Sequence, residues 1–476
     1  MSSGIAPDAL RGAVAALLVF LAMAGTAAPA AQSQDAGVAP ATSVPDLSQA
    51  GRGTAPPASG DPAAGELAPV EVPQPSEKAL RYYRSGMLIW GFNQAWALFL
   101  PGLIAFGGFS ARLRNLARRM AGGVLSAVGL SGRAAGSEPD PVGDGCEGSP
   151  PLWFLTVGLF VVLYLGIVFL IQLPIAYYQG FVRQHAYGLS NQTHAKWLSD
   201  SLIGIAVEMI VGFLLTWVPF LLLRKAPRRW WLYTTVLSVP FLFATLLIKP
   251  IWIDPLFNDF GPMQNRELER SILDLAGRAG IEGSRVFEVN KSIDTKAVNA
   301  YVTGVGGTKR IVLWDTLIAR LDERELLVVM AHEMGHYVLG HVVRSILLSS
   351  IVTLASLYLV HRLGHRLIAR FSARLGFRSL ADVASVPLLI LLMQVTSLVL
   401  EPVAYAYSRY QEHEADRFAL DLTRTNHSAA MAFVKLQQEN LSNPRPGPVY
   451  RLFRATHPSI AERIEFCNTY RIAEHK

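Results

Sequence analysis

The sequence predicts an all-α, polytopic membrane protein that carries a mainly α-helical polar domain with a small β-hairpin. Three observations support this fold class. Hydrophobic residues make up 51% of the 476 residues and charged residues only 17%, which is too apolar for an ordinary soluble protein. Six apolar stretches of about helical, membrane-crossing length follow a signal-like N-terminus. One polar segment between them contains His-Glu-x-x-His within a helical pattern.

The N-terminal residues 1–31 are predicted to form a signal peptide. They combine an early Arg11, an apolar run over 14–23 and the small-residue cleavage pattern Ala28-Pro29-Ala30. An uncleaved N-terminal anchor is the alternative. Residues 32–80, rich in Pro, Ala and Gly, are predicted to form a disordered linker, because they contain too few apolar residues to offset the entropy of ordering.

The six apolar stretches define the predicted membrane helices, and most of them reach the ~20 residues that a bilayer-crossing helix needs. They lie at 87–106, 154–177, 202–223, 231–248, 346–360 and 383–400. The fifth is the shortest, so we expect it to extend from the helix before it. Glu208, in the middle of the third, is predicted either to line a polar cavity or to be a neutral structural glutamate.

These stretches divide the chain into predicted domains. Transmembrane helices 1–4 occupy 81–248 and helices 5–6 occupy 346–406. A catalytic domain is predicted from two polar segments, 249–345 with the His-Glu-x-x-His helix and 407–476 with a further metal ligand.

Basic residues predict the orientation in the membrane. They cluster in the loops after the first, third and fifth spans, and the positive-inside rule makes those loops cytoplasmic. The residues are Arg112, Arg114, Arg118, Arg119, Arg133, Arg224, Lys225, Arg228, Arg229, Arg362, Arg366, Arg370, Arg374 and Arg378. The formal charge of +7 therefore reflects membrane orientation, and we expect no nucleic-acid partner. The polar segments then face the periplasm of a bacterial inner membrane, and Cys146 and Cys467 lie on opposite sides and cannot pair.

A metal site is predicted on the helix that contains His332-Glu333-Met334-Gly335-His336. Asp322 and Glu325 fit a capping box at the start of this helix. Two histidines four residues apart lie within about 40° of each other on a helix and can bind one metal ion. Glu333 lies on the flank of that face, where its carboxylate can accept a proton from water at the metal. The simpler alternative is a helix with two ordinary histidines.

The third ligand is predicted downstream, because a catalytic zinc takes three protein ligands and keeps one position open. His341 does not fit, since on a continuous helix it would point about 140° away from His336, and we expect it at the surface or behind a ligand. Glu412 fits better, with Asp416 on the same helix face to accept a hydrogen bond from a liganding imidazole. His413 and Glu414 point elsewhere. The alternative is a charged helix at the membrane surface.

A pair of strands is predicted at 298–303 and 310–314, with a turn at 304–307, because apolar and polar residues alternate there. An exposed edge of this hairpin could pair with an extended peptide, and a purely structural hairpin is the alternative.

Taken together, these residues resemble the type I CAAX prenyl protease-like family of integral-membrane zinc metalloproteases, over about residues 83–471. The resemblance includes the His-Glu-x-x-His helix and several further stretches in the same order. They are Gly188-Leu189-Ser190-Asn191-Gln192-Thr193, Pro255-Leu256-Phe257-Asn258, Asn299-Ala300-Tyr301, Lys309-Arg310-Ile311-Val312-Leu313, Asp315-Thr316-Leu317, Ser408 to Asp416, and His457-Pro458 with Arg463.

The resemblance implies a helical transmembrane barrel and one Zn²⁺ per chain. It implies that His332, His336 and Glu412 bind zinc and that Glu333 is the general base. By the same resemblance, Asn299 and His457 hold the oxyanion or the substrate backbone, and Asn299, Ala300 and Tyr301 bind substrate. Asp416 and Arg463 would support the ligands from outside the coordination sphere.

The expected function is therefore that of a membrane zinc metalloendopeptidase whose substrates are peptides or proteins, with or without lipid modification, in contact with membrane lipids. The resemblance implies CAAX prenyl protease-like activity, but the predicted periplasmic side places prenylated CAAX substrates in doubt, and misfolded or mistargeted envelope proteins are the alternative substrates. An alternative of another class is a non-catalytic channel or scaffold that keeps zinc for stability. The intact Glu333 and a glutamate third ligand favour the enzyme.

Overall fold

The structure is a computed structural model that describes residues 68–130, 149–281, 283–303 and 310–471. The predicted signal peptide, residues 32–67 of the predicted linker, Cys146 and the predicted turn at 304–307 lie outside the described residues. The prediction of disorder is wrong for the end of the linker, because the Val70 backbone makes two hydrogen bonds with the Asn468 side chain and a helix begins at Glu77.

The helices of the N-terminal half form most of a membrane bundle. A π-helical turn, Tyr178–Val182, joins the third helix to the fourth. The helices are α1 Glu77–Phe106, α2 Phe109–Ala127, α3 Pro150–Tyr177, α4 Arg183–Ala186, α5 His194–Leu215, α6 Trp217–Lys225 and α7 Trp230–Ile248.

The C-terminal half adds two long helices to the bundle and six shorter ones to a polar domain. They are α8 Arg266–Arg278, α9 Asp315–Ile318, α10 Glu323–Val338, α11 His341–Leu375, α12 Val386–Thr423, α13 Asn426–Glu439, α14 Pro448–Phe453 and α15 Ile460–Thr469. The long helices α11 and α12 run antiparallel through the bundle and connect it to the polar domain.

Five helical stretches within the described ranges are long and apolar enough to cross a membrane, or up to six if the bent pair Trp230–Leu246 and Lys249–Leu256 forms one span. Each of the six predicted stretches falls on one of these, so the predicted polytopic helical fold is confirmed. Glu208 lies partly buried on α5, and its Oε2 atom has no hydrogen-bond partner among the described residues.

The fifth span differs from the prediction. It does not extend from the metal helix, because α10 ends at Val338 and α11 is a separate helix that begins at His341. Gly340 separates the two with a φ of 67°, in the left-handed region that favours glycine. Helix α11 is 35 residues long and therefore needs no contribution from α10 to cross the bilayer.

The core has two main parts, one for each half of the architecture. Buried aromatic residues such as Phe160, Tyr164 and Trp230 fill the membrane bundle. A second cluster packs α10 against α8, α13 and α15, and includes Met330, Phe433 and Ile464. The helix that carries the predicted metal ligands is thus at the centre of the polar domain.

A four-stranded sheet covers one side of α10. Its strands are β1 Phe260–Pro262, β2 Arg285–Val289, β3 Ala300–Thr303 and β4 Arg310–Trp314, in the order β1-β2-β4-β3. The predicted hairpin is present as the antiparallel pair of β3 and β4, and β4 also pairs with β2 in parallel. Within the described residues β3 is an edge strand, and it packs against α10.

The bundle and the sheet meet at a polar junction made of residues 188–196, 255–258 and 291–296. Ser190 Oγ and the backbone N–H of Asn191 both donate to the carbonyl of Asp294, at 2.9 and 3.1 Å. Asn258 Nδ2 donates to Asp294 Oδ2 at 2.7 Å, and Lys196 Nζ donates to the carbonyl of Phe257 at 2.8 Å. The junction fixes the loop that leads into β3.

Candidate metal centre

Helix α10 presents the two predicted histidines on one buried face. Its first turn carries the expected capping box, in which Asp322 accepts from the backbone N–H of Glu325 and Glu325 accepts from that of Asp322. His332 and His336 are 1% and 2% exposed, and their Nε2 atoms lie 3.1 Å apart. The spacing of four residues therefore brings the two imidazoles to the same point, as predicted.

Glu412 reaches the same point from α12. Gly335 permits a close approach of the two helices, because a Cβ atom there would lie 3.0 Å from the Phe418 ring. Glu412 Oε2 lies 3.2 Å from Nε2 of His332, and Oε1 lies 3.4 Å from Nε2 of His336.

These three side chains fit a divalent metal ion. One ligand atom from each of His332, His336 and Glu412 can be chosen so that all lie within 4.8 Å of one another. Both Glu412 oxygens are buried, and neither accepts a hydrogen bond from any described residue. A buried carboxylate without hydrogen bonds is costly unless a cation compensates its charge, so the Glu412 carboxylate is evidence that a metal ion binds here.

Asp416 and Arg463 lie behind His332. Asp416 Oδ1 is 2.8 Å from Nδ1 of His332, and Arg463 Nε donates to Asp416 Oδ2 at 2.9 Å. Arg463 also contacts Asp416 Oδ1 through its second nitrogen and lies over the Phe433 ring at 4.1 Å. Of these contacts, the short one to the Asp416 carboxylate, which can only accept, favours a proton on Nδ1 of His332 and leaves Nε2 for a metal ion.

Glu333 is buried beside the two histidines, with 1% of its surface exposed. Neither of its carboxylate oxygens has a hydrogen-bond partner among the described residues. Burial raises the pKa of this carboxyl, because the charged form is poorly solvated there.

His457 also lies beside Glu412. Its Nε2 lies 3.2 Å from Glu412 Oε2, and its Nδ1 lies 2.8 Å from the hydroxyl of Thr456. Burial lowers the pKa of His457 to about 4, which favours the neutral imidazole. Thr456 was not among the predicted site residues, and only its position next to His457 signals it.

Asn299 and His457 line one cavity of about 160 Å³, together with Arg463. Asn299 is buried and its Oδ1 accepts from the backbone N–H of Ala300 at 2.8 Å. Ala300 and Tyr301 begin the edge strand β3, where Tyr301 lies on the less buried face. Asn299, at the start of the predicted hairpin, thus lines the same cavity as His457, which contacts the ligand Glu412.

His341 lies behind the ligand His336, one of the two positions expected for it, but it does not point away from His336 as a continuous helix would require. His341 is 1% exposed, and its Nδ1 lies 2.8 Å from Nδ1 of His336. The break at Gly340 ends the regular rotation of α10, so the angle of about 140° that a continuous helix would impose does not apply. Glu414 points away from the ligands, as expected, but toward His341. The glycine directly before His341 is the sequence signal that could have predicted the position of His341 behind His336.

Comparisons with known proteins agree with this geometry. The model of peptidase family M48 matches residues 262–470, and the model described as CAAX prenyl protease N-terminal, five membrane helices, matches residues 73–259. An uncharacterised metalloprotease of Bacillus subtilis, YhfN, is 41% identical over 67% of this chain and 75% of its own length.

More distant relatives carry a more specific name. CAAX prenyl protease 1 of Saccharomyces cerevisiae is 29% identical over 62% of this chain and 68% of its own length. The crystal structure of S. mikatae Ste24p superimposes with a TM-score of 0.66 at 25% identity, over 82% of this chain and 87% of that one.

These matches confirm the resemblance, the helical fold and the assignment as an enzyme that acts on peptide or protein substrates. The chain therefore belongs to the M48 peptidases, in the CAAX prenyl protease 1 (Ste24) family of integral, multi-pass membrane metalloproteases, with His332, His336 and Glu412 as its metal-binding group.

Proposed function

We propose that the protein is a zinc metalloendopeptidase in which Glu333 is the general base. The observation that carries the proposal is the pair of buried carboxylates without hydrogen bonds. Glu412 faces both histidines, and Glu333 lies beside them with both oxygens unpaired within the described ranges. One carboxylate is placed as a ligand, which leaves the other available for proton transfer.

The residues divide the chemistry of peptide hydrolysis among them. A zinc ion held by His332, His336 and Glu412 would supply Lewis acidity, lowering the pKa of water and polarising the scissile carbonyl. Glu333 accepts the proton of the attacking water at its carboxylate and passes it to the leaving amine. The Nδ1 atom of neutral His457 lies 2.8 Å from the Thr456 hydroxyl; with this hydroxyl as the donor, the proton of the ring is on Nε2 and is donated toward the developing oxyanion, with Asn299 in the same cavity.

Strand β3 supplies the path for the substrate backbone. It is the edge of the sheet within the described residues, and Asn299, Ala300 and Tyr301 lie where it begins, beside the cavity. An extended peptide can add to such an edge by backbone hydrogen bonds, which favours unfolded or extended substrates over folded ones.

The arrangement of basic residues supports a periplasmic site in a bacterial inner membrane. The end of α1 meets the end of α11, where the rings of Phe106 and Phe371 are 5.6 Å apart. At the same end Arg224 lies over Trp153 at 5.9 Å. This end carries the arginine-rich segments, and α11 leads from it over its full length to His341 at the metal site.

A periplasmic site favours exported or envelope proteins as substrates, misfolded or mistargeted ones above all. Prenylated CAAX peptides are the competing substrates, because the more distant relatives are named for that activity. Comparing the proteins that accumulate in cells carrying Glu333→Gln with those in wild-type cells separates the two. Accumulation of prenylated proteins alone would overturn the envelope assignment.

The test of the reaction is Glu333→Gln in the purified full-length protein. We expect stoichiometric zinc to remain and casein cleavage to fall by about 10²- to 10⁴-fold, the usual contribution of a general base. Chelation should abolish wild-type cleavage, and added zinc should restore it. Glu323→Gln, in the exposed first turn of the same helix, is the matched control and should cleave as wild type does. Equal cleavage by Glu333→Gln would disprove the assignment, and a wild-type protein that binds zinc but cleaves nothing would favour the scaffold.

A further inference from the structure

His341 and Glu414 lie behind the metal ligand His336 in an arrangement that the proposed reaction does not use. His336 directs Nε2 toward Glu412 and Nδ1 toward Nδ1 of His341, at 3.4 and 2.8 Å. The two rings are 5.0 Å apart and inclined at 70°. On its other side, His341 Nε2 lies 3.4 Å from Glu414 Oε2, and Glu414 pairs with Arg344 at 3.1 Å.

We propose that His341 is a positioning residue that orients the metal ligand His336 and is itself oriented by Glu414. The proposal rests on the metal site of the proposed function. It gives the two liganding histidines different supports, a carboxylate in direct contact with His332 and a neutral histidine in contact with His336.

The proton positions follow from the distances. A contact of 2.8 Å between two Nδ1 atoms requires one donor and one acceptor. Metal binding uses the lone pair on Nε2 of His336, so its proton lies on Nδ1 and is donated to His341. His341 must then accept on Nδ1 and carry its own proton on Nε2, which lies 3.4 Å from Glu414 Oε2 without a hydrogen bond to it, so Glu414 acts on His341 through its charge.

The backbone holds His341 in this place. Its carbonyl accepts from Gln411 Nε2 at 3.2 Å, and Gln411 Oε1 accepts from Ser345 Oγ at 3.0 Å. Gln411 directly precedes the ligand Glu412, so one amide ties the first turn of α11 to the helix that supplies the third ligand. Gly340, in the left-handed conformation, ends α10 and allows a sharp change of chain direction before α11. This change places the His341 side chain next to His336.

The experiment measures zinc affinity by chelator competition, and the absorption spectrum of the Co²⁺-substituted protein, for full-length variants. His341→Leu should weaken zinc binding by about 10- to 100-fold, the usual effect of losing the partner of a liganding histidine, and should alter the cobalt spectrum. His341→Asn, which keeps an acceptor near the position of Nδ1, should restore most of the affinity. Glu414→Gln should have a smaller effect than His341→Leu, because it acts through His341.

The matched control is His365→Leu, the same substitution at an exposed position of the same helix, which should bind zinc as wild type does. Wild-type affinity and spectrum in His341→Leu would overturn the proposal. Equal losses of zinc affinity in His341→Leu and His341→Asn would also overturn it, because packing and not the hydrogen bond would then be responsible.

If His341→Leu does not fold, the other two variants test the proposal. Near wild-type affinity in His341→Asn together with reduced affinity in Glu414→Gln would support it, and unchanged affinity in Glu414→Gln would overturn it. A wild-type protein without stoichiometric zinc would overturn the metal site and the positioning role together.

Discussion

Asp416 Oδ1 lies 2.8 Å from Nδ1 of His332, with both side chains buried in the centre of the polar domain. The same carboxylate accepts a hydrogen bond from Arg463. Asp416 therefore both contacts a metal ligand and neutralises the buried guanidinium of Arg463. Metal binding and folding of the domain therefore depend on the same contact.

Asp416→Asn should weaken both zinc binding and the stability of the folded domain. The amide keeps an acceptor for His332 but loses the charge, so we expect zinc affinity to fall by about tenfold or more. The metal-free protein should lose about 3–5 kcal/mol of unfolding free energy, because the charge of Arg463 stays buried without its partner. Chelator competition and denaturant unfolding in detergent measure the two effects. Asp421→Asn, at an exposed position on the same helix, is the control, and a variant indistinguishable from it would refute the dual role.

His457→Phe tests the oxyanion assignment. The ring keeps its size but loses Nε2, so kcat should fall by about 10²- to 10³-fold, as when a donor to an oxyanion is removed. Zinc content should stay stoichiometric, because His457 is not one of the three metal-binding side chains. His427→Phe, an exposed histidine on α13, controls for the substitution. A loss of zinc in His457→Phe would instead make His457 a ligand.

Asn258→Leu tests the junction between bundle and sheet. Asn258 is buried, donates to Asp294 and contacts Lys291, so its removal leaves buried polar groups unpaired. We expect a loss of about 1–3 kcal/mol of unfolding free energy with zinc affinity unchanged. Gln438→Leu, an exposed amide on α13, should have little effect. A change in zinc affinity without a change in stability would contradict a purely structural junction.

The membrane orientation predicts opposite signals from reporters of periplasmic and cytoplasmic location fused after Gly145 and after Lys476. A reporter active only in the periplasm should be active after Lys476 and inactive after Gly145, because the arginine-rich loops stay in the cytoplasm. A fusion in the extended segment before α1, at Glu71, should give the same signal as one at Lys476. A cytoplasmic signal at Lys476 would place the metal site on the cytoplasmic side of the membrane. Prenylated peptides would then be the favoured substrates.

Local patterns explain what could be predicted from the chain alone. The capping box at Asp322, the spacing of His332 and His336, and the apolar membrane stretches each depend on residues close together in the sequence. The β3–β4 pair is similarly local. Strands β1 and β2 are only three and five residues long, and each pairs with a segment far away in the sequence. No local pattern therefore predicted them.

By itself, the sequence determined the helical membrane fold from its apolar stretches, and it placed His332 with His336, and Glu412 with Asp416, on common helix faces, because helical periodicity converts spacing into direction. The full ligand set and the class of chemistry came from the resemblance of these motifs, taken together, to a protease family. Only the tertiary structure decided which groups support those side chains. His341 meets His336 because one glycine ends a helix, and Arg463 both contacts Asp416 and lines the cavity of Asn299 because separate elements pack there. Such contacts depend on where a helix stops and what packs against it, and periodicity carries no information about either.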